Sequence, residues 1–221
     1  MSSMMSARDG GRAMCPSSPI LYNSKFWRGD DKRRNLLLYR ESDQYYFCDK
    51  YQNPTTREEY APIIRYAEVL LNYTEAVYER YAATDGSITD ESKVDAALKY
   101  LNEVRKRVNP DMPNLTVSFA ATKGLSLREE IRRERTVELF NEGFRIDDLK
   151  RWKTAEVEMP KNMLGVKWST TGDWSTWATA WKPSYSTDTD DAGIAGCLMI
   201  ETDRVWENRT IFIRFHPIRS N

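Results

Sequence analysis

Between residues 62 and 108 two apolar stripes recur at three-and-four spacing on either side of one short break, and this pattern limits the fold more than any other feature. After Pro62, which suits a helix first turn, apolar residues fall at Ile63, Tyr66, Ala67, Leu70, Tyr73, Val77 and Tyr81, the spacing of a helix with one buried face. Asp85-Gly86-Ser87 interrupts the pattern. A second stripe, Val94, Ala97, Leu98, Leu101, Arg105 and Val108, predicts a helix from about Ser92 to Val108, ended by Asn109-Pro110. Two such helices form a hairpin close to the ~34 residues of a tetratricopeptide unit. One unit cannot bury both of its faces, so neighbouring helices are expected elsewhere in the chain or beyond it.

A third helix carries a clear start signal. Ser126 and Glu129 make an S-x-x-E capping box before Leu127, Ile131, Val137 and Phe140. Gly143 is expected to stop it, since glycine tolerates the left-handed backbone that closes a helix, and Phe144 to Trp152 begins a short element in a new direction. Residues 1–61 are irregular, with Gly10-Gly11, Pro16, Pro19 and a charged turn from Gly29 to Arg34, while Leu36–Tyr39 and Tyr45–Cys48 suggest a loose hairpin. Residues 156–221 dissolve into loops rich in Trp, Thr, Ser and Asp, closing on an alternating run, Ile211, Ile213, Phe215, that reads as a strand. The fold class expected is therefore mainly α. It has a helical-hairpin scaffold over residues 62–155, large irregular loops and a few short strands.

Charge and residue counts exclude several functions. Among 221 residues, 33 Lys and Arg balance 33 Asp and Glu, so no long-range field gathers nucleic acid or anionic lipid. The single His216 leaves no His-based zinc centre and no paired Glu-x-x-His di-iron site, and no metal or other cofactor is expected. Cys15, Cys48 and Cys197 show no C-x-x-C spacing; they are free thiols, or two of them form one disulfide in an oxidising compartment. No window approaches the ~18 apolar residues of a membrane span, and the first fifteen residues do not have the form of a signal peptide.

The densest charge lies between Arg128 and Arg151. Glu134, Glu138 and Glu142 recur every fourth residue, with Arg135 beside them and Arg145, Asp148 and Arg151 just past the turn. Paired carboxylates could serve a glycosidase as acid and base. However, arginine neighbours favour the ionised form, the opposite of what a general acid needs. An ion-pair network locking the helix to the following element is the structural alternative.

Residues Ile131 to Trp152, IRRERTVELFNEGFRIDDLKRW, resemble the signature segment of the RagB/SusD family of outer-membrane nutrient-binding lipoproteins. Upstream, Pro62 to Ala76 and Ala97 to Arg107 resemble two further helices of that family, in the same order. His216-Pro-Ile218 resembles its closing strand, with Arg219 in place of a second proline, and Phe144 and Asp147 depart from the signature. The resemblance implies a tetratricopeptide-like helical scaffold corresponding to the C-terminal part of a family member. It implies capture of an oligosaccharide or other nutrient at the bacterial cell surface, without catalysis. It also implies delivery to a SusC-like TonB-dependent outer-membrane transporter, with the membrane contacted only through a lipid anchor that this chain does not carry. Cys15 does not sit in a lipobox-like context.

Ligand contacts are expected in the loops. Trp168, Trp174, Trp177 and Trp181 lie among Ser, Thr and Gly, and exposed aromatic rings stack on the C–H faces of sugars while polar groups bond the hydroxyls. Trp168, Asp173, Trp174 and Trp177 form the first candidate site, and Trp27 with Arg28 a second. Trp174, Trp177 and Trp181 also fit a helical stripe packing onto the scaffold. A helical-repeat adaptor that binds only protein is the rival reading.

Overall fold

The computed structural model describes residues 31–34, 63–161 and 204–207, together with the backbone of seven short strands. Six helices account for most of it: α1 (Tyr66–Tyr81), α2 (Glu91–Lys106), α3 (Val117–Thr122), α4 (Leu127–Glu138), α5 (Arg145–Arg151) and α6 (Ala155–Glu158). The strands form three small antiparallel sheets. β1 (Ser6–Arg8) pairs with β2 (Arg12–Met14); β3 (Pro16–Ser17) and β4 (Leu38–Arg40) flank β5 (Tyr46–Cys48); and β6 (Met163–Lys167) pairs with β7 (Cys197–Glu201).

The helical hairpin is present, and its start and its buried face both differ from the apolar pattern. α1 begins at Tyr66, and Ile63 and Ile64 precede it in an exposed bend. Its buried face is Ala67, Leu70, Leu71, Thr74, Glu75 and Tyr78. Ile63 is 94% exposed and Tyr66 68%, and Val69 and Tyr73 also face outward, with Tyr73 set edge-on to exposed Tyr100 of α2 at 5.3 Å. The stripe is displaced because two polar residues belong inside it. Thr74 Oγ1 donates to the Leu70 carbonyl at 2.9 Å and to the Ala97 carbonyl at 3.1 Å, so a hydroxyl stitches α1 to α2 without leaving an unpaired group.

α2 follows its pattern closely. Asp90 caps it by accepting from the Lys93 amide, and Val94, Ala97, Leu98 and Leu101 are buried. Asn102 then exchanges two 2.8 Å hydrogen bonds with the backbone of Leu115, holding the segment after α2 against it. α3, capped by Thr116, was not anticipated; its six residues are too few for a periodic signal.

α4 packs against both α1 and α2. Ser126 Oγ accepts from the Glu129 amide as the capping box requires, Leu127 and Ile131 join the core with Leu71, Leu98, Leu101 and Leu115, and Val137 is buried as well. Its end comes earlier than Gly143, at Glu138, and the chain reverses through Asn141 (φ 60°) and Gly143 (φ 88°) into α5. After Ala155 the one-turn α6 and the β6–β7 pair replace the unbroken loop expected there. The strand expected at Ile211 to Phe215 lies outside the described residues.

Candidate functional site

A helix with the sequence LREEIRRERTVE should expose most of its length, since a buried charge must be paired. α4 instead buries Glu130, Arg133, Glu134, Arg135 and Glu138, and each buried charge has an opposite charge within reach.

Glu134 is the centre of the first cluster, with no exposed surface. One carboxylate oxygen meets Arg133 at 2.5 Å and Arg105 of α2 at 3.4 Å, and the other meets Arg33 at 2.9 Å. Arg33 comes from a segment a hundred residues upstream. Its guanidinium also donates to both oxygens of Asp31, at 3.0 and 2.7 Å, and lies 3.6 Å from Glu138. Asn109, just past α2, clasps this segment by donating to Asp31 at 3.0 Å and accepting from the Lys32 amide at 2.8 Å. Asp31 and Arg33 are thus buried inside the charged turn. One turn further along α4, Glu138 accepts from Arg65 at 3.0 Å and Arg107 at 2.9 Å, and Glu142 takes the remaining Arg65 nitrogens at 2.9 and 2.6 Å. Arg65 is the residue before α1, so these bonds tie the start of α1 to the end of α4.

The second cluster lies on another side of α4. Arg135 donates to Asp148 of α5 at 2.7 Å and to Asn72 of α1. Arg151 donates to Asp148 at 2.8 Å and to both oxygens of Glu75, at 2.5 and 2.6 Å, and the Trp152 indole nitrogen adds a third bond to Glu75 at 2.6 Å. Arg145 donates to the Thr136 hydroxyl at 2.9 Å, and its guanidinium, like those of Arg132 and Arg151, faces the Trp152 ring. The seven charged residues singled out in the sequence therefore fall into two groups: Glu134, Glu138 and Glu142 in one, and Arg135, Arg145, Asp148 and Arg151 in the other. Asp31, Arg33, Arg65 and Glu75 complete the clusters and were missed. Asp31 and Arg33 lie in the charged turn, Arg65 just before α1 and Glu75 within it, and nothing local in the sequence pairs them with α4 or α5.

Electrostatics follow the pairing. Burial pushes the Glu75 carboxyl up, but the hydrogen bonds from Arg151 and Trp152 outweigh it and hold the group below its ordinary range. Asp31 behaves likewise, with burial opposed and overcome by Arg33 and Asn109. Burial opposes the charge on Arg33, yet Glu134 and Asp31 raise its pKa. Arg65 is raised chiefly by its bond to Glu142. These carboxylates are held ionised and enclosed by guanidinium groups, an arrangement suited to locking helices together rather than to donating a proton.

Among the described residues no group of three acidic, Cys or His side chains could hold a metal ion, and no helix is long and apolar enough to cross a membrane. Trp27, Arg28, Trp168, Asp173, Trp174 and Trp177 all lie outside the described residues.

Comparison with known proteins adds what the described side chains do not carry. A SusD_RagB family model, described as the SusD family, matches residues 28–191. The fold is similar to a solved SusD-like carbohydrate binding protein from Bacteroides fragilis NCTC 9343, at 27% identity and a TM-score of 0.50, over 77% of this chain and 30% of that one. A second SusD-like protein from the same organism matches at 24% identity and a TM-score of 0.46, over 77% of this chain and 27% of that one. This chain therefore spans less than a third of the length of either solved structure. No curated protein matches it. The family match takes in α1 to α6, both ion-pair clusters and most of the loops on either side: the chain belongs to the SusD family.

Proposed function

We propose that this chain is part of a cell-surface protein that holds an oligosaccharide or other nutrient without covalent chemistry and hands it to a SusC-like TonB-dependent outer-membrane transporter. The observation that carries this reading is the family match over residues 28–191. The similar solved structure described as carbohydrate binding supports a glycan as the ligand. Sugar rings would stack on Trp168, Trp174 and Trp177, with Asp173 accepting from hydroxyls, and Trp27 with Arg28 would form a second contact. The ion-pair clusters serve as scaffold.

Calorimetry or tryptophan fluorescence across a panel of oligosaccharides tests the reading. Saturable binding to at least one glycan, weakened about tenfold or more in Trp177→Ala, is expected, since losing a stacked ring removes roughly 1.5 kcal/mol. A flat response to every sugar would favour the protein-binding adaptor. That second reading has its own support in the outward-facing Ile63, Tyr66, Val69 and Tyr73, an apolar stripe of the kind that marks protein contacts. A glycosidase using Glu134 and Glu138 is disfavoured, because both carboxylates are buried and engaged by arginines. Release of reducing sugar, abolished by Glu138→Gln, would restore it.

A further inference from the structure

Arg132 is the loosely held guanidinium at the rim of the second cluster. Arg135, Arg145 and Arg151 each donate to an oxygen at 2.9 Å or less. Among the described residues Arg132 instead meets Glu129 at 3.5 Å and Glu79 at 3.8 Å, its guanidinium makes no hydrogen bond, and its Nε is buried without a partner.

A second cation is held beside it. Thr136 Oγ1 donates to the Arg132 carbonyl at 2.8 Å and accepts from Arg145 at 2.9 Å, so Arg145 is fastened one turn along the same face of α4. The guanidinium carbons of Arg132 and Arg145 lie 5.1 and 6.0 Å from the centre of one ring, that of Trp152, whose indole nitrogen is anchored on Glu75 at 2.6 Å. We propose that Arg132, Arg145 and Trp152 form a subsite for the carboxylate or sulfate group of an acidic sugar.

The donors set the ligand class. A guanidinium offers N–H groups in a planar fork that matches the oxygens of a carboxylate, and it is weakly hydrated, so an oxyanion displaces little water from it. Trp152 attracts both guanidinium groups through its π face and restricts them before a ligand arrives. Competition within the fold is weak. Glu129 is 68% exposed and Glu79 39%, and such long contacts in water contribute little. Arg151 stays outside the subsite because Glu75 and Asp148 already engage it. Burial lowers the pKa of Arg145, and Glu158, Asp148 and Glu129 offset only part of that, so an added anion favours the cation. The subsite rests on the nutrient-binding reading above and narrows it to sugars that carry charge.

The purified chain is titrated by calorimetry with oligogalacturonate, its fully methyl-esterified counterpart, a sulfated galactan oligosaccharide, neutral oligosaccharides and sodium sulfate. At least one of the two acidic sugars should bind saturably, weaken with added salt and exceed the methyl ester about tenfold or more in affinity. Arg132→Gln should weaken that binding by roughly tenfold while its circular dichroism melt stays that of the unaltered chain, since the side chain gives up no hydrogen bond. In the 15N-labelled chain the Trp152 indole resonance, identified with Trp152→Phe, should shift as the acidic sugar is added. Binding of neutral sugars alone would overturn the acidic subsite and leave the nutrient-binding reading standing, whereas silence toward every sugar would remove both. Acidic binding that Arg132→Gln leaves intact, an indole resonance that does not move, or sodium sulfate binding as tightly as the acidic sugars would also overturn the subsite.

Discussion

Glu134 shows how strongly a single side chain can depend on its surroundings. With no solvent contact and with Arg33, Arg105 and Arg133 converging on it, its charge is tolerable only while they remain. Glu134→Gln removes that charge and leaves the guanidinium groups buried against a neutral amide, so we expect a loss of about 3 kcal/mol or more in urea unfolding. A loss below about 0.5 kcal/mol would place the cluster among solvated surface pairs. Glu75 and Asp31 make the stability pH-dependent. Each is held below its ordinary pKa, 4.5 and 3.8, so the stability that each contributes is fully present above those values and is lost as pH falls through the lower folded-state pKa. Circular dichroism should show acid unfolding setting in below about pH 4.5, with a shallower stability slope in Glu75→Gln from there downward. At this scale local signals were legible and distant ones were not. Ser126 names its own role because its partner is three residues away, and Arg105 stood on the right stripe. Asp31, Asn109 and Arg33 find partners 78 and 101 positions along the chain, and no local pattern encodes such a pairing.

Among the elements, α4 depends most on its ends. Its cap is a hydrogen bond from the Glu129 amide to Ser126 Oγ, and Ser126→Ala should cost about 1 kcal/mol in thermal or urea unfolding with the far-UV spectrum of the folded protein unchanged. Gly143, at φ 88°, lies in a region that side chains with a Cβ avoid, and it explains why the chain can reverse there even though the helix has already ended at Glu138. The periodicity that located α1 chose its face badly, because it counted tyrosines as core. Tyr66 and Tyr73 are amphipathic rings at the surface, whereas Thr74 and Glu75 are buried because Ala97 and Arg151 satisfy them. Short elements such as α3 and the two-residue β3 are set by tertiary contacts and leave little trace in composition.

For the whole molecule, the sequence was most informative about the scaffold and least about ligand contacts. Helices and caps repeat a pattern that sequence can carry, while the sugar contacts proposed for the loops would depend on geometry without a period. The placement of Arg33 has a further consequence, for the order of folding. Its partner Glu134 is 101 residues away, far beyond the span of the α1–α2 hairpin, so the loop-closing entropy of that contact is best met after the helices have gathered. A contact made late restrains escape more than it hastens arrival. In stopped-flow urea jumps, Arg33→Met should therefore speed unfolding by roughly a hundredfold and leave the folding rate nearly unchanged. An equal split between the two rates would show the pair already formed in the transition state. If the late closure holds, residues 31–34 act as a kinetic latch, setting how long the helical body stays folded once it has formed.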